Sequence, residues 1–248
     1  MEREIRNAAG ERLEYRWHAP EGSAAGAQTV VIGHGVTANM DRAWAVALAT
    51  ALASAGFAAL RFSFAGNGGS DGDFGDSCPS KEAEDLGAVL DALEADGRLE
   101  RGAVGAAVYV GHSMGAAVGV LRAASDPRIG RLVSLGGMVD TAAFAERKFG
   151  QQAPGDLMWD KPECPLSQRF LDDMRAVDSV ESQAAGLDLP WLLVHGDGDT
   201  VVPAQESERI AAQAPERRTL RLLPGADHVF SDAGEAPMCA AVVGWLRG

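Results

Sequence analysis

Cysteine is scarce in this chain. Cys78, Cys164 and Cys239 are its three, widely spaced along 248 residues. The count is odd and no CxxC pair occurs, which points away from a metal or redox site. None of the three sits where a motif would make it a nucleophile. Reduced, structural thiols in a cytoplasmic protein are the expectation.

Positive charge is also short. There are 22 Lys and Arg against 35 Asp and Glu, for a formal net charge of -13. Nucleic-acid binding needs a concentrated positive face, so no such partner is expected. The same balance disfavours docking on an anionic membrane, and the acidity reads as a solvated surface. No apolar run approaches the ~20 residues that span a bilayer. The opening Met1-Glu2-Arg3-Glu4 has no basic segment leading into an apolar one, so no secretory leader is expected.

What remains is ordinary for a globular protein: 46% hydrophobic and 23% charged residues. A chain of this length suits one α/β domain over 1–248. It can bury about three quarters of its unfolded surface without metal or disulfide support.

Residues 2–7 and 11–17 read as two strands around Ala8-Ala9-Gly10. Leu13, Tyr15 and Trp17 alternate there with polar neighbours, the period of a half-buried strand. Residues 20–26 are small and turn-rich. Beyond them, short apolar runs at 29–32, 58–64, 106–110, 129–135, 191–194 and 220–223 fit strands buried on both faces of a parallel sheet. Helical stretches at 43–55, 81–95, 115–124, 204–214 and 236–246 alternate with them, which predicts a doubly wound sheet. Residues 138–188 break the rhythm with a connection far longer than usual. Their Phe144, Phe149, Met158, Trp159, Leu166, Phe170, Leu171 and Met174 predict a small helical insertion over one end of the sheet.

Gly111-His112-Ser113-Met114-Gly115 fits G-x-S-x-G between a predicted strand and a predicted helix. In that context the serine occupies a sharp strand-to-helix turn. The helix amides then face any developing oxyanion. Alternatively, the segment is a glycine-rich turn whose serine caps the helix. Gly33-His34-Gly35-Val36 follows the first buried strand and offers a second amide donor beside that of Met114, or is a plain turn. A serine nucleophile needs a base. Of five histidines, His18, His34 and His112 belong to other predicted features, and His195 ends a strand where a structural role is expected. His228 remains, just after the last strand. The orienting acid should lie between serine and histidine in sequence. Asp199 is preferred because it sits far out on its loop, with Asp197 making a local turn bond and Asp227 ranked last. The glycine-rich loop 61–70 has no phosphate-binding pattern and reads as a buttress for the strand before His34.

Together these pieces resemble the α/β-hydrolase superfamily over nearly the whole chain. The signatures are His34-Gly35, an RxxxxGxGxS-like loop at 61–70, GHSMG at 111–115, HGxxDxxVP at 195–203 and a G-x-x-H histidine at 228. The likeness is to small esterases and serine-aminopeptidase-like hydrolases, including cinnamoyl and feruloyl esterases. That resemblance implies an α/β-hydrolase fold with Ser113 as nucleophile, Asp199 as acid and His228 as base. It implies an oxyanion hole from the amides of Val36 and Met114, and a lid at 138–188. Ser63 departs from the pattern, since many relatives carry aspartate there. The expected activity is hydrolysis of a small or medium-sized ester through an acyl-enzyme, without cofactor or metal. A peptidase, amidase or thioesterase would use the same residues. A catalytically silent binding module would have no need of all three.

Overall fold

A computed structural model describes residues 3–22 and 28–248. Most of the turn-rich stretch 20–26, and Glu2 of the first expected strand, lie outside the described residues. The order of elements is β1 (Ile5–Arg6), β2 (Arg12–Leu13), β3 (Tyr15–His18), β4 (Thr29–Gly33), α1 (Ala43–Ser54), β5 (Ala58–Phe62), α2 (Pro79–Ala95), β6 (Ala107–His112), α3 (Met114–Ala123) and β7 (Ile129–Leu135). Then come α4 (Thr141–Phe149), α5 (Gln168–Val177), α6 (Glu181–Ala185), β8 (Trp191–Gly196), α7 (Ala204–Gln213), β9 (Arg218–Leu223) and α8 (Glu235–Arg247).

Seven strands form one sheet in the order β3-β5-β4-β6-β7-β8-β9. All neighbours are parallel except β3, which runs antiparallel to β5. This is the α/β-hydrolase fold, as expected. The strands β4, β5, β6 and β8 are buried along their whole length. Alternate residues of each strand therefore feed two cores. Val30, Ile32, Val108, Val110, Leu192 and Val194 pack with Leu48 and Leu52 of α1 and Met238 and Val242 of α8. Val31, Leu60, Tyr109, Leu132 and Leu193 pack with Leu86 and Leu90 of α2, Ala117 and Val118 of α3 and Ile210 of α7. Helices on both faces explain why these strands read as unbroken apolar runs.

The amino-terminal expectation needs one correction. Residues 11–17 are not a single strand. β2 pairs with β1, and β3 leaves to join the main sheet on β5. Glu14, between them, is drawn aside: its N–H donates to Ser70 Oγ at 2.8 Å, its C=O accepts from Ser63 N at 2.9 Å, and its carboxylate accepts from Gly69 N at 2.7 Å. The alternation itself persists, with Leu13, Tyr15 and Trp17 all on the α2 core.

Between β7 and β8 the chain forms α4, a short turn at Met158–Asp160, α5 and α6. Ser167 starts α5 by accepting a hydrogen bond from Phe170 N at 3.0 Å. Phe144, Phe149, Met158, Leu166, Phe170 and Met174 make a third apolar cluster, which also takes in Met114 of α3 and Val202 after β8. The segment thus packs on the carboxyl ends of the strands. Its stem is tied to α7, where the Glu206 carboxylate accepts from Val139 N at 2.7 Å and Asp140 N at 3.1 Å. The three cysteines are buried and unpaired. Among the described residues no helix is long and apolar enough to cross a membrane.

Candidate active site

Ser113 joins β6 to α3 with φ 53° and ψ -120°. A non-glycine residue there is strained by about 1–3 kcal/mol, and such strain persists only where the surroundings impose it. Here they do. A Cβ on Gly111 would lie 2.2 Å from Gly115 O, and one on Gly115 would lie 2.4 Å from His34 O. Only glycine at both positions lets strand, helix and the 33–36 loop meet this closely. The Ser113 side chain makes no capping hydrogen bond to α3. Its hydroxyl is therefore not used by the helix, which removes the capping alternative.

The loop after β4 packs directly on this turn. A Cβ on Gly35 would be 2.7 Å from the Ser113 Cβ. His34 holds the loop in shape: its Nδ1 donates to Gly35 O at 2.9 Å, and its Nε2 accepts from Phe64 N at 3.1 Å. Burial lowers the His34 pKa to about 4, so the ring is neutral, as an Nε2 acceptor requires. The Phe64 contact comes from the 61–70 loop, expected to buttress the strand before His34; through it the loop also supports the turn that follows. Ser63 accepts from Met40 N at 3.1 Å and approaches Glu14 Oε2 at 3.4 Å. Ser63 and Glu14 thus tie the loop before α1 to the 61–70 loop. Among the described residues, neither the Val36 nor the Met114 amide N–H finds a protein acceptor.

His228 and Asp199 are joined across two loops, with His228 Nδ1 donating to Asp199 Oδ2 at 2.7 Å. Asp199 Oδ1 accepts from Val201 N at 2.8 Å and Val202 N at 2.9 Å. Its side chain is 1% exposed. Burial alone would raise its pKa, but the hydrogen bonds from His195 and His228 outweigh it and hold the carboxyl well below the usual range. The His195 contact was not foreseen. His195 Nε2 donates to Val202 O at 3.0 Å and lies 3.2 Å from Asp199 Oδ2, while its Nδ1 accepts from Ser207 Oγ at 2.8 Å. His195 is thus structural, and it also braces the acid. Asp197 instead accepts from Gly225 N at 2.6 Å, a bond between loops rather than within a turn. Asp227 accepts from Ser231 N at 2.8 Å and from the Ser231 hydroxyl.

His112 supports the His228 loop from below. Its Nε2 donates to His228 O at 2.8 Å, and its ring lies 4.7 Å from the His228 ring. Burial, with the nearby charge of His228, lowers its pKa to about 3.

Ser113 and His228 line one cavity of about 220 Å³, with Val36, Phe144, Trp159 and Val201. No hydrogen bond joins Ser113 to His228 among the described residues; such contacts often tighten only around substrate. Of the aromatic residues in the 138–188 segment, Phe149 is 2% exposed and belongs to the packed cluster, whereas Trp159 is 42% exposed. The Trp159 ring stands edge-on to Phe149 at 4.9 Å. Arg42 and Lys161 also line the cavity, although no sequence motif marks either. Lys161 Nζ donates to Thr37 O at 2.8 Å and Thr37 Oγ1 at 3.2 Å, linking the insertion to the 33–36 loop. Among the described residues no group of three or more His, Cys, Asp or Glu side chains is placed to hold a metal ion.

Known proteins resemble this chain to different depths. An uncharacterized protein of Mycobacterium tuberculosis is 28% identical over 215 residues, covering 86% of this chain and 66% of that one. The chain therefore spans a little less than two thirds of that relative. The uncharacterized protein YfhR of Salmonella typhi is 28% identical over 226 residues, covering 87% of this chain and 68% of YfhR. Est1E from Butyrivibrio proteoclasticus, solved with ferulic acid bound, superimposes with a TM-score of 0.85 at 25% identity, over 99% of this chain and 98% of that one. The esterase domain of a Rhodothermus marinus protein gives 0.75 at 24% identity, over 99% and 96%, a likeness of fold. The sequence profile of the alpha/beta hydrolase family spans residues 30–240, from β4 into α8 and across the loops that carry Ser113, Asp199 and His228. With that match over most of its length, the chain belongs to the alpha/beta hydrolase family.

Proposed function

We propose that the protein is a serine hydrolase that cleaves a carboxylic ester of a small or medium-sized substrate. The observation that carries this reading is the Asp199–His228 hydrogen bond of 2.7 Å beside a strained serine turn on the same cavity. Ser113 Oγ attacks the ester carbonyl as His228 Nε2 takes its proton. The tetrahedral oxyanion is held by the amides of Val36 and Met114, each such donor contributing roughly 3–4 kcal/mol. His228 then protonates the leaving alcohol. Water, deprotonated by His228, releases the acid from the acyl-enzyme. Asp199 fixes the imidazole with its proton on Nδ1, leaving Nε2 free to accept, and stabilises the imidazolium.

Residues 138–188 act as a lid that shapes the acyl or alcohol pocket, with Trp159 on its inner rim. The bound ferulic acid of Est1E favours a small organic acid or its ester as ligand. Incubation with p-nitrophenyl acetate tests the reading. Enzyme-dependent release of nitrophenol, with a burst equal to the enzyme present when deacylation is slow, is expected. No release from any p-nitrophenyl ester would refute it.

A further inference from the structure

The charge around the cavity runs against the charge of the chain. The protein carries 35 acidic residues and a net charge of -13. Among the described residues, no Asp or Glu lines the cavity that holds Ser113; the charged residues lining it are Arg42 and Lys161. Asp199 is buried behind His228 and does not line it.

Arg42 is an exposed residue at the start of α1. Among the described residues its guanidinium has no ion pair or side-chain hydrogen bond, and the neighbouring Asp41 is already engaged by Arg61. It lines the same cavity as Ser113 and His228, so its charge is within the space a ligand would enter. Lys161 spends two of its three N–H donors on Thr37, leaving one and its charge for a ligand. Arg42 also lines an adjoining hollow of about 480 Å³, but that one contains Asp232 and Glu235. An anion is repelled there and attracted on the Ser113 side.

Resting on the ester-hydrolase reading, we propose that the natural substrate is an acidic ester whose anionic oxygen group, such as a carboxylate, is bound by Arg42 and Lys161. The planar guanidinium fork matches a carboxylate with two parallel hydrogen bonds. Lys161 adds a point charge from the insertion. Arg42 and Lys161 are specificity-determining residues in this account and take no part in the bond changes at Ser113.

The test is a comparison of paired esters. 4-Acetoxybenzoate against its methyl ester places the charge on the alcohol side. The mono-p-nitrophenyl ester of suberic acid against p-nitrophenyl octanoate places it on the acyl side. The wild-type protein is expected to favour the anionic member of at least one pair in kcat/KM, mainly through KM, and to lose that preference as salt is raised. Arg42→Gln is expected to cut the anionic-to-neutral ratio of kcat/KM about 10-fold or more, as for loss of a charge-assisted hydrogen bond. Lys161→Gln should cut it less, and Arg42→Lys should retain part of it. If neutral esters are cleaved but both pairs show no anionic preference, or Arg42→Gln leaves the ratio unchanged, the proposal is overturned while the hydrolase reading stands. If no ester is cleaved, the hydrolase reading itself has failed.

Discussion

His228 Nδ1 and Asp199 Oδ2 lie 2.7 Å apart, although 29 residues separate them in the chain. The same oxygen lies 3.2 Å from His195 Nε2, and the other carboxylate oxygen holds two backbone amides. This carboxylate is so fully committed that amide replacement cannot reproduce it. Asp199→Asn is expected to lower kcat on a p-nitrophenyl ester by on the order of 10⁴, as for the corresponding change in a serine protease. Asp197→Asn keeps an oxygen for Gly225 N and should change kcat little. If Asp197→Asn proves the more damaging, the acid has been misassigned.

The strained turn makes a separate prediction. Gly115→Ala drives a methyl group to 2.4 Å from His34 O, a backbone atom that cannot swing away. Overpacking of this kind costs about 1–3 kcal/mol. That corresponds to a Tm lower by roughly 2–12 °C at this chain length. Activity should fall further than stability, because the displaced loop carries the Val36 amide. A variant with wild-type melting and wild-type kcat would show that the turn tolerates a Cβ.

Glu82 supplies a pH-dependent test away from the site. Its side chain is 1% exposed; Oε1 accepts from Ser77 Oγ at 2.8 Å, and Oε2 has no partner among the described residues. Burial pushes its pKa well above the ordinary glutamate value of 4.5, against the hydrogen bond from Ser77. A folded-state pKa above the unfolded one means that the native state binds the proton more tightly. Its contribution to stability is complete below about pH 4.5 and is lost as pH rises through the folded value. Glu82→Gln should therefore gain stability relative to wild type at pH 8, by on the order of 1–3 kcal/mol, and gain less at pH 5. An equal effect at both pH values would mean that Glu82 does not titrate as its burial requires.

Two aromatic neighbours should separate packing from binding. Phe149 and Trp159 meet edge-on at 4.9 Å, but only Phe149 is buried. Phe149→Ala is expected to cost about 3–5 kcal/mol of stability. Trp159→Ala should cost much less and instead raise KM for esters with long acyl chains, with a smaller change for acetate. Calorimetry and a chain-length series distinguish the two effects. A KM unchanged across the series would remove Trp159 from the pocket.

The strands were legible because burial on both faces leaves an unbroken apolar run, as in Trp191–Val194 of β8. Their ends were less so. β6 runs to His112 and β8 to Gly196, beyond the last apolar residue of each, because hydrogen bonding to the neighbouring strand continues through residues chosen for the site. The break at Glu14 depends on Ser63, Gly69 and Ser70, about fifty residues away, and leaves no local trace. At the site, Ser113, Asp199 and His228 could be read because each sits in a short motif after a strand. Lys161 meets Thr37 across 124 residues, and Arg42 simply precedes a helix. Neither has a spacing rule, and only folding brings them to the same cavity.

The central claim is that Ser113 is the nucleophile, and active-site labelling tests it most directly. The intact protein is treated with a fluorophosphonate, and the adduct is counted and mapped by mass spectrometry. One adduct per chain on Ser113 is expected. Ser113→Ala should lose both the adduct and about 10⁶ of kcat, by analogy with serine proteases. A protein that hydrolyses esters yet carries its label elsewhere, or a Ser113→Ala variant that still labels and turns over, would contradict the account.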